Sequence, residues 1–225
     1  MIIAERKPIA EIQSFVAGYH KVLVAGCGTC VAVCLAGGSK EAETLKNELT
    51  LALGSSGVRC EATTLERQCD MEFLAELDDQ IAEYDAVLSM ACGAGIQLLA
   101  ERFPQIPVFP AVNTSCIGVN RSVGWYEENC RACGTCVLGL TAGICPVTRC
   151  AKGLFNGPCG GTNITSCEIH PDQPCAWHMI YERLAMQDRL DQIIDISPAT
   201  DWRNQQPRTI VQPGYEDRTA ALKEE

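Results

Sequence analysis

Sulfur is where this sequence could do chemistry. Eight of its fifteen cysteines fall in one stretch: Cys130, Cys133, Cys136, Cys145, Cys150, Cys159, Cys167 and Cys175. The first three stand at C-x2-C-x2-C, a spacing that lets one short loop present thiolates to a metal centre from three sides. Cys145 is followed by Pro146, like the cysteine that ends a bacterial ferredoxin run, although its gap from Cys136 is longer than in that run. A smaller group, Cys27, Cys30 and Cys34, lies upstream. Zinc ribbons usually offer separated C-x2-C pairs, so the triple run favours an iron–sulfur cluster and leaves zinc as the alternative.

Composition narrows the chemistry. The cysteine count is odd, which a fully paired disulfide framework would not be, and the chain is larger than the small secreted scaffolds that need such staples. The start, Met1-Ile-Ile-Ala-Glu-Arg-Lys, has no apolar run of signal-peptide length, and no run of about eighteen apolar residues follows. A cytoplasmic protein without a membrane span is the expectation, and in that compartment closely spaced thiols point to metal. The net charge of -10 offers no basic stripe for phosphates, which argues against a nucleic-acid partner. Hydrophobic residues make up 47% of the 225, enough for a core.

The elements that must position the thiols alternate along residues 1–118. A lead-in helix is expected from Ile9 to Tyr19, from the spacing of Ile9, Ile12, Phe15 and Val16. Lys21 to Ala25 reads as a buried strand, and Gly26-Cys27-Gly28-Thr29-Cys30 as the turn that opens a helix. Helices are expected at 40–53, after a Ser39 cap, at 71–84 and at 95–103; strands at 58–63, 85–90 and 106–111. Such alternation predicts an α/β fold with a doubly wound parallel sheet. In that architecture a site forms beyond the carboxyl ends of the strands where the connections diverge. Cys27 follows the first of these strands and Cys92 the third, and Cys30 and Cys34 are one helical turn apart.

The expected upstream quartet is therefore Cys27, Cys30, Cys34 and Cys92, with Cys116 the rival for the fourth place. Gly93-Ala-Gly95 favours Cys92, because small residues let backbone N–H groups approach cluster sulfurs. Cys60 and Cys69 read as single structural thiols. A dinucleotide site at Gly26-Cys-Gly28-x-x-Val31 lacks the third glycine of the fingerprint, and Cys27 and Cys30 would crowd a pyrophosphate. Of the three histidines, His20, His170 and His178, His170 alone lies among the downstream cysteines and is an outside ligand candidate.

From Thr114-Ser115 glycine and cysteine replace strand periodicity, and residues 119–196 read as an irregular, metal-stabilised domain closed by a helix over 176–194. Eight thiols there suffice for two tetrathiolate sites, or for one cubane with spare structural cysteines. Lys21, Arg149 and Lys152 can balance the cluster charge. Residues 197–225 read as a polar tail, either mobile or wrapped on a partner.

Several of these motifs together resemble a known family. Gly124-Trp-Tyr126-x3-Cys130-x2-Cys133-x2-Cys136, Cys145-Pro-Val-Thr-Arg-Cys150-Ala-Lys152, Asn156-Gly-Pro-Cys-Gly-Gly161, Cys167-Glu168 and Cys175-Ala-Trp177 look like the C-terminal domain family associated with methylenetetrahydrofolate reductase. With Gly26-Cys-Gly-Thr-Cys30, residues 20–185 resemble the small iron–sulfur (MetV) subunits of the acetogen-type enzyme. That resemblance implies two [4Fe-4S] clusters in this chain, FMN in a separate (β/α)8 catalytic subunit, and an electron-conducting role without catalytic residues here. Other redox subunits are compatible with it. A zinc-stabilised assembly module that positions the catalytic subunit is the alternative, and d10 zinc cannot carry electrons. A weaker third class is a free-standing iron–sulfur enzyme with an open iron site.

Overall fold

The computed structural model describes residues 1–216 and divides into two compact units, Met1–Asn129 and Cys130 onward. In the first, β1 (Ile2–Arg6) and α1 (Ile9–Val16) precede β2 (Lys21–Cys27), α2 (Cys30–Val33), α3 (Ser39–Leu53) and β3 (Arg59–Leu65). Then come α4 (Met71–Leu74), β4 (Ala86–Ser89), α5 (Gly93–Arg102), β5 (Val108–Pro110), β6 (Val112–Ser122) and β7 (Trp125–Cys130).

The four strands expected from apolar runs form one parallel sheet in the order β3-β2-β4-β5. From β2 the chain goes to β3 on one side and later to β4 on the other, so the connections diverge at the end of β2. Alternate residues of β2 serve opposite faces. Val22 and Val24 join a cluster with Ile12, Val16, Ala42 and Leu45; Leu23 and Ala25 join one with Leu74, Leu77, Ile81 and Leu99. A period of two with both faces apolar is what a sheet covered on both sides requires.

A second sheet, of order β1-β6-β7, was not expected from the sequence. β1 lies antiparallel to β6, with Ile2 opposite Ile117 and Arg6 opposite Val112. Only Val112 and Gly118 of the eleven β6 residues are buried, so its one-sided, polar sequence hides the strand. β6 runs unbroken through residues 118 and 119, and the division between units falls after Asn129 instead.

The helix expected over 71–84 is shorter. α4 gives way to 3-10 turns at Ala75–Leu77 and Ile81–Glu83, while Leu74, Leu77, Ile81 and Tyr84 are buried as the apolar spacing requires. Asp78, beside Asp79, is held by Arg102, whose Nε donates to its carboxylate at 2.9 Å. Adjacent aspartates are poor helix formers, and tighter turns carry the same buried face.

Tyr84 links this segment to the sheet, its hydroxyl donating to Glu61 Oε2 at 2.6 Å. Burial first, and the Glu61 carboxylate second, push the phenol from 10.0 up to about 12. The neutral phenol is thus favoured by the fold. Its contribution is full below the ordinary value and is lost as pH rises through about 12. Replacing Tyr84 by Phe should flatten the alkaline loss of stability across that window in urea melts; an unchanged slope would refute the linkage.

In the second unit the regular helices are α6 (Pro146–Arg149) and α7 (Ala176–Met186), with 3-10 turns at Leu190–Ile193 and Trp202–Gln205. The expected closing helix stops at Met186, and Asp188 adopts φ +55 just beyond it. The buried hydrophobic cluster here is small: Ala142, Ile144, Cys175, Trp177, Ile180 and Leu184 among the described residues. Part of the polar tail packs on its own unit. Asn156 exchanges two hydrogen bonds with the Ser197 backbone, and Gln205 Nε2 donates to Ala132 O at 2.9 Å. The rest of that tail, 217–225, lies outside the described residues. Among the described residues no helix is long and apolar enough to cross a membrane.

Candidate metal-binding thiol groups

All fifteen cysteines are unpaired. In the first unit the carboxyl end of β2 delivers Cys27, whose backbone partner on β3 is Leu65. The next residue, Gly28, donates its N–H to Leu65 O at 2.9 Å and Glu66 O at 3.1 Å, which holds the loop after β3 against the turn after β2. Cys30 opens α2 and Cys92 stands immediately before α5. Gly93 N–H donates to Thr114 Oγ1 at 2.9 Å, fixing the start of α5. The N–H groups of that first turn lack intrahelical partners, an arrangement that favours negative charge nearby.

Gln68, fully buried, ties these ends together. Its Nε2 donates to Ala25 O and Gly26 O, both at 2.9 Å, and its Oε1 accepts from Ser89 Oγ at 2.6 Å. One side chain therefore joins the exits of β2, β3 and β4. Its neighbour Cys69 is exposed, and partial burial and then the thiols of Cys92, Cys27 and Cys30 push its own thiol up. Cys69 is thus within electrostatic reach of Cys27, Cys30 and Cys92.

Cys34 sits otherwise. Its N–H donates to Cys30 O at 3.2 Å, so the two remain a turn apart, but its buried thiol donates to Ile2 O at 3.3 Å. α2 has ended, and Leu35 follows at φ +58. Cys34 and Cys116 line one cavity of about 530 Å³ with Ile3, Ala4, Trp125 and Tyr126. Burial pushes both thiols up, and Cys30 adds to this at Cys34, as Glu128, Cys34 and Glu5 do at Cys116. Cys60, in β3 opposite Val22, packs against the core and is raised by burial alone.

In the second unit the C-x2-C-x2-C loop curls through two left-handed residues, Ala132 at φ +50 and Gly134 at φ +88. Cys130 Sγ accepts from Ala132 N–H at 3.4 Å and the Cys133 thiol donates to Thr135 O at 3.8 Å, while Cys136 is exposed. A side chain at Gly134 would strike Asn204, so the tail closes over this loop. Cys145 caps the start of α6, with Pro146 next, and Cys150 caps its end. Cys150 and Cys167 line a cavity of about 260 Å³ together with His170 and Gln173. His178, by contrast, pairs with Glu182 Oε1 at 3.1 Å on α7.

The Cys159 thiol donates to Glu168 Oε2 at 3.7 Å, and Lys152 pairs with the same carboxylate. Lys152 and Glu168 thus form an ion pair beside one of the predicted sulfurs. Burial would raise the Cys175 thiol, but the Thr162 hydroxyl and the N–H groups of His178 and Trp177 outweigh it and hold the group below its usual value. Thr162 Oγ1 is buried without a hydrogen-bond partner at ordinary length among the described residues.

Among the described residues no three His, Cys, Asp or Glu side chains are gathered so as to hold a metal ion. The fit to a metal group rests on the donor chemistry: unpaired sulfur throughout, and a buried Thr162 hydroxyl without a hydrogen-bond partner among the described residues.

Searches of curated proteins and of solved structures returned no match. Residues 109–203 match a family model described as methylene-tetrahydrofolate reductase C terminal. The matched stretch holds Cys116 and all eight downstream cysteines, and leaves Cys27, Cys30, Cys34, Cys60, Cys69 and Cys92 outside it. By that match, residues 109–203 are similar to the C-terminal domain associated with methylenetetrahydrofolate reductase.

Proposed function

We propose that this chain is the iron–sulfur electron-transfer subunit of a methylenetetrahydrofolate reductase complex, located in the cytoplasm. One observation carries the reading: eight unpaired thiols occupy a unit whose one buried hydrophobic cluster, among the described residues, has six members. A unit so poor in apolar contacts needs ligand bonds to hold its loops. The family match over the same residues supplies the enzyme context.

Cys130, Cys133, Cys136, Cys145, Cys150, Cys159, Cys167 and Cys175 are the thiols that would hold the downstream group. Cys27, Cys30 and Cys92 supply the upstream one with a fourth thiol. Two bound [4Fe-4S] clusters would pass electrons singly to or from an FMN-bearing partner, which reduces methylenetetrahydrofolate to methyltetrahydrofolate with two electrons. This chain's own residues hold and tune. Cys175 is kept toward its thiolate form by neighbouring donors, and the Lys152–Glu168 pair places one cation and one anion beside Cys159. Both charges act on whatever Cys159 binds.

Anaerobic purification with iron, zinc and acid-labile sulfide analysis tests this, together with EPR of the dithionite-reduced protein. About eight iron and eight sulfide per chain are expected, with signals that appear on reduction. Zinc alone, with no labile sulfide after anaerobic reconstitution, would replace this reading by the structural assembly subunit.

A further inference from the structure

We propose that the upstream metal centre is held by Cys27, Cys30, Cys69 and Cys92, with Cys69 as its fourth thiolate where the sequence points to Cys34. The inference deepens the proposed function and rests on its claim that this unit binds metal through thiolates.

Three independent features of the chain converge on Cys69. The first is topology: β2, β3 and β4 run parallel and end at the same edge, so the loops carrying Cys27, Cys69 and Cys92 leave the sheet side by side. A residue four positions beyond Leu65 is thereby returned to the crevice where the connections diverge.

The second is anchorage. Gln68, with no exposed surface, is hydrogen-bonded to Ala25 O, Gly26 O and Ser89 Oγ. Gly95 of α5 approaches it so closely that an added Cβ would lie 3.0 Å from Gln68 Cβ. The residue after Gln68 is thus fixed beside the exit of β2 and the first turn of α5, the two places that carry Cys27 and Cys92. A ligand is expected to be held in this way by a buried neighbour that leaves its thiol accessible.

The third is the set of groups each thiol meets. Cys69 interacts with Cys92, Cys27 and Cys30, all three of the remaining members, whereas Cys34 interacts with Cys30 and with Cys116 outside the set. The Cys34 thiol already has an acceptor, Ile2 O, supplied by β1. Cys116 shares the cavity of Cys34, so the rival fourth ligand lies with the displaced thiol and not with the quartet.

The test uses the full chain, prepared anaerobically, with Cys69→Ala, Cys34→Ala and, as reference, Cys92→Ala. Iron and sulfide per chain are measured with the EPR spectrum, and far-UV circular dichroism reports the fold. Cys69→Ala and Cys92→Ala are expected to lose about half of the iron and one of two reduced-state signals, and Cys34→Ala neither. Cys69→Ser gives a second readout, because oxygen ligation shifts the g-values of the surviving cluster without removing a side chain. Full iron and unaltered g-values in both Cys69 variants, or an equal loss in Cys34→Ala, would overturn the proposal.

Failure of the iron–sulfur reading is distinguished by the wild-type protein. If it holds no labile sulfide, the same variants are titrated with Co(II), whose thiolate charge-transfer absorption counts sulfur ligands. A reduced band in Cys69→Ala with an unchanged one in Cys34→Ala upholds the ligand set for a single ion. The reverse pattern, or no difference, refutes it.

Discussion

Oxidative removal of the proposed clusters, followed by chelation, is expected to unfold the second unit and leave the first one folded. The first unit has nineteen and ten buried apolar residues in its two clusters, against six in the second. Its sheet and helices are therefore self-supporting. In the second unit, α6 has four residues and α7 eleven, and the segments before and between them carry the thiols. Ligation to structural metal sites is worth about 10–16 kcal/mol in small thiolate domains, and without it such domains lose their fold. Hydrogen exchange read by mass spectrometry separates the two units. Peptides from 140–186 should lose nearly all protection on metal removal, while those covering β2, β3 and β4 keep theirs. Retained protection in α7 would show that Trp177, Ile180 and Leu184 suffice and that metal is not what holds this unit.

Replacing Gln68 by Leu should produce the largest loss of stability of any single substitution at the exits of the parallel strands. The size of the side chain is nearly kept, so the effect isolates the amide. Three hydrogen bonds vanish, and the Ser89 hydroxyl, fully buried, loses its acceptor. Ala25 O keeps a second donor, Met90 N–H at 2.8 Å, which limits the cost on that side. Each buried group left unpaired costs about 1–3 kcal/mol, so a loss of about 2–4 kcal/mol is expected from denaturant unfolding of the first unit. The same variant should retain less upstream metal, because Cys69 is no longer held beside Cys27 and Cys92. An unfolding free energy within about 0.5 kcal/mol of wild type would show that the three strand exits are organised without this amide.

The elements legible in the sequence are those whose signal is local. Lys21 to Ala25 is a run of apolar residues that a parallel strand covered on both faces demands, and Gly26 to Gly28 punctuates it. The same holds for α5 after Cys92 and for α3, although Gly38 stands at the cap of α3 and Ser39, expected to cap it, is its first helical residue. The crevice at the end of β2 follows from the alternation of strands and helices, and Cys27, Cys30 and Cys92 could be assigned to its edge from that order alone. The turn at Cys130 to Cys136 is legible from its run of three cysteines, and it curls through left-handed residues at Ala132 and Gly134.

What the tertiary structure decided is non-local. β1 is a strand because β6, more than a hundred residues later, lies opposite it; neither alone carries an apolar pattern strong enough to announce it. That pairing also places Ile2 O where the Cys34 thiol finds an acceptor, so the direction of Cys34 depends on residues outside its own helix. Spacing along α2 predicts that Cys30 and Cys34 are neighbours, and they are, but it says nothing of where each sulfur points. Cys69 is the complementary case. Nothing in its local sequence marks it as more than a lone thiol, since Gln68 acquires its meaning only when Ala25, Gly26 and Ser89 are brought within 3 Å of its amide. Spacing records which thiols share a loop; which thiols leave the sheet at the same edge is set by long-range strand pairing and by one buried side chain, both of which exist only once the chain has folded.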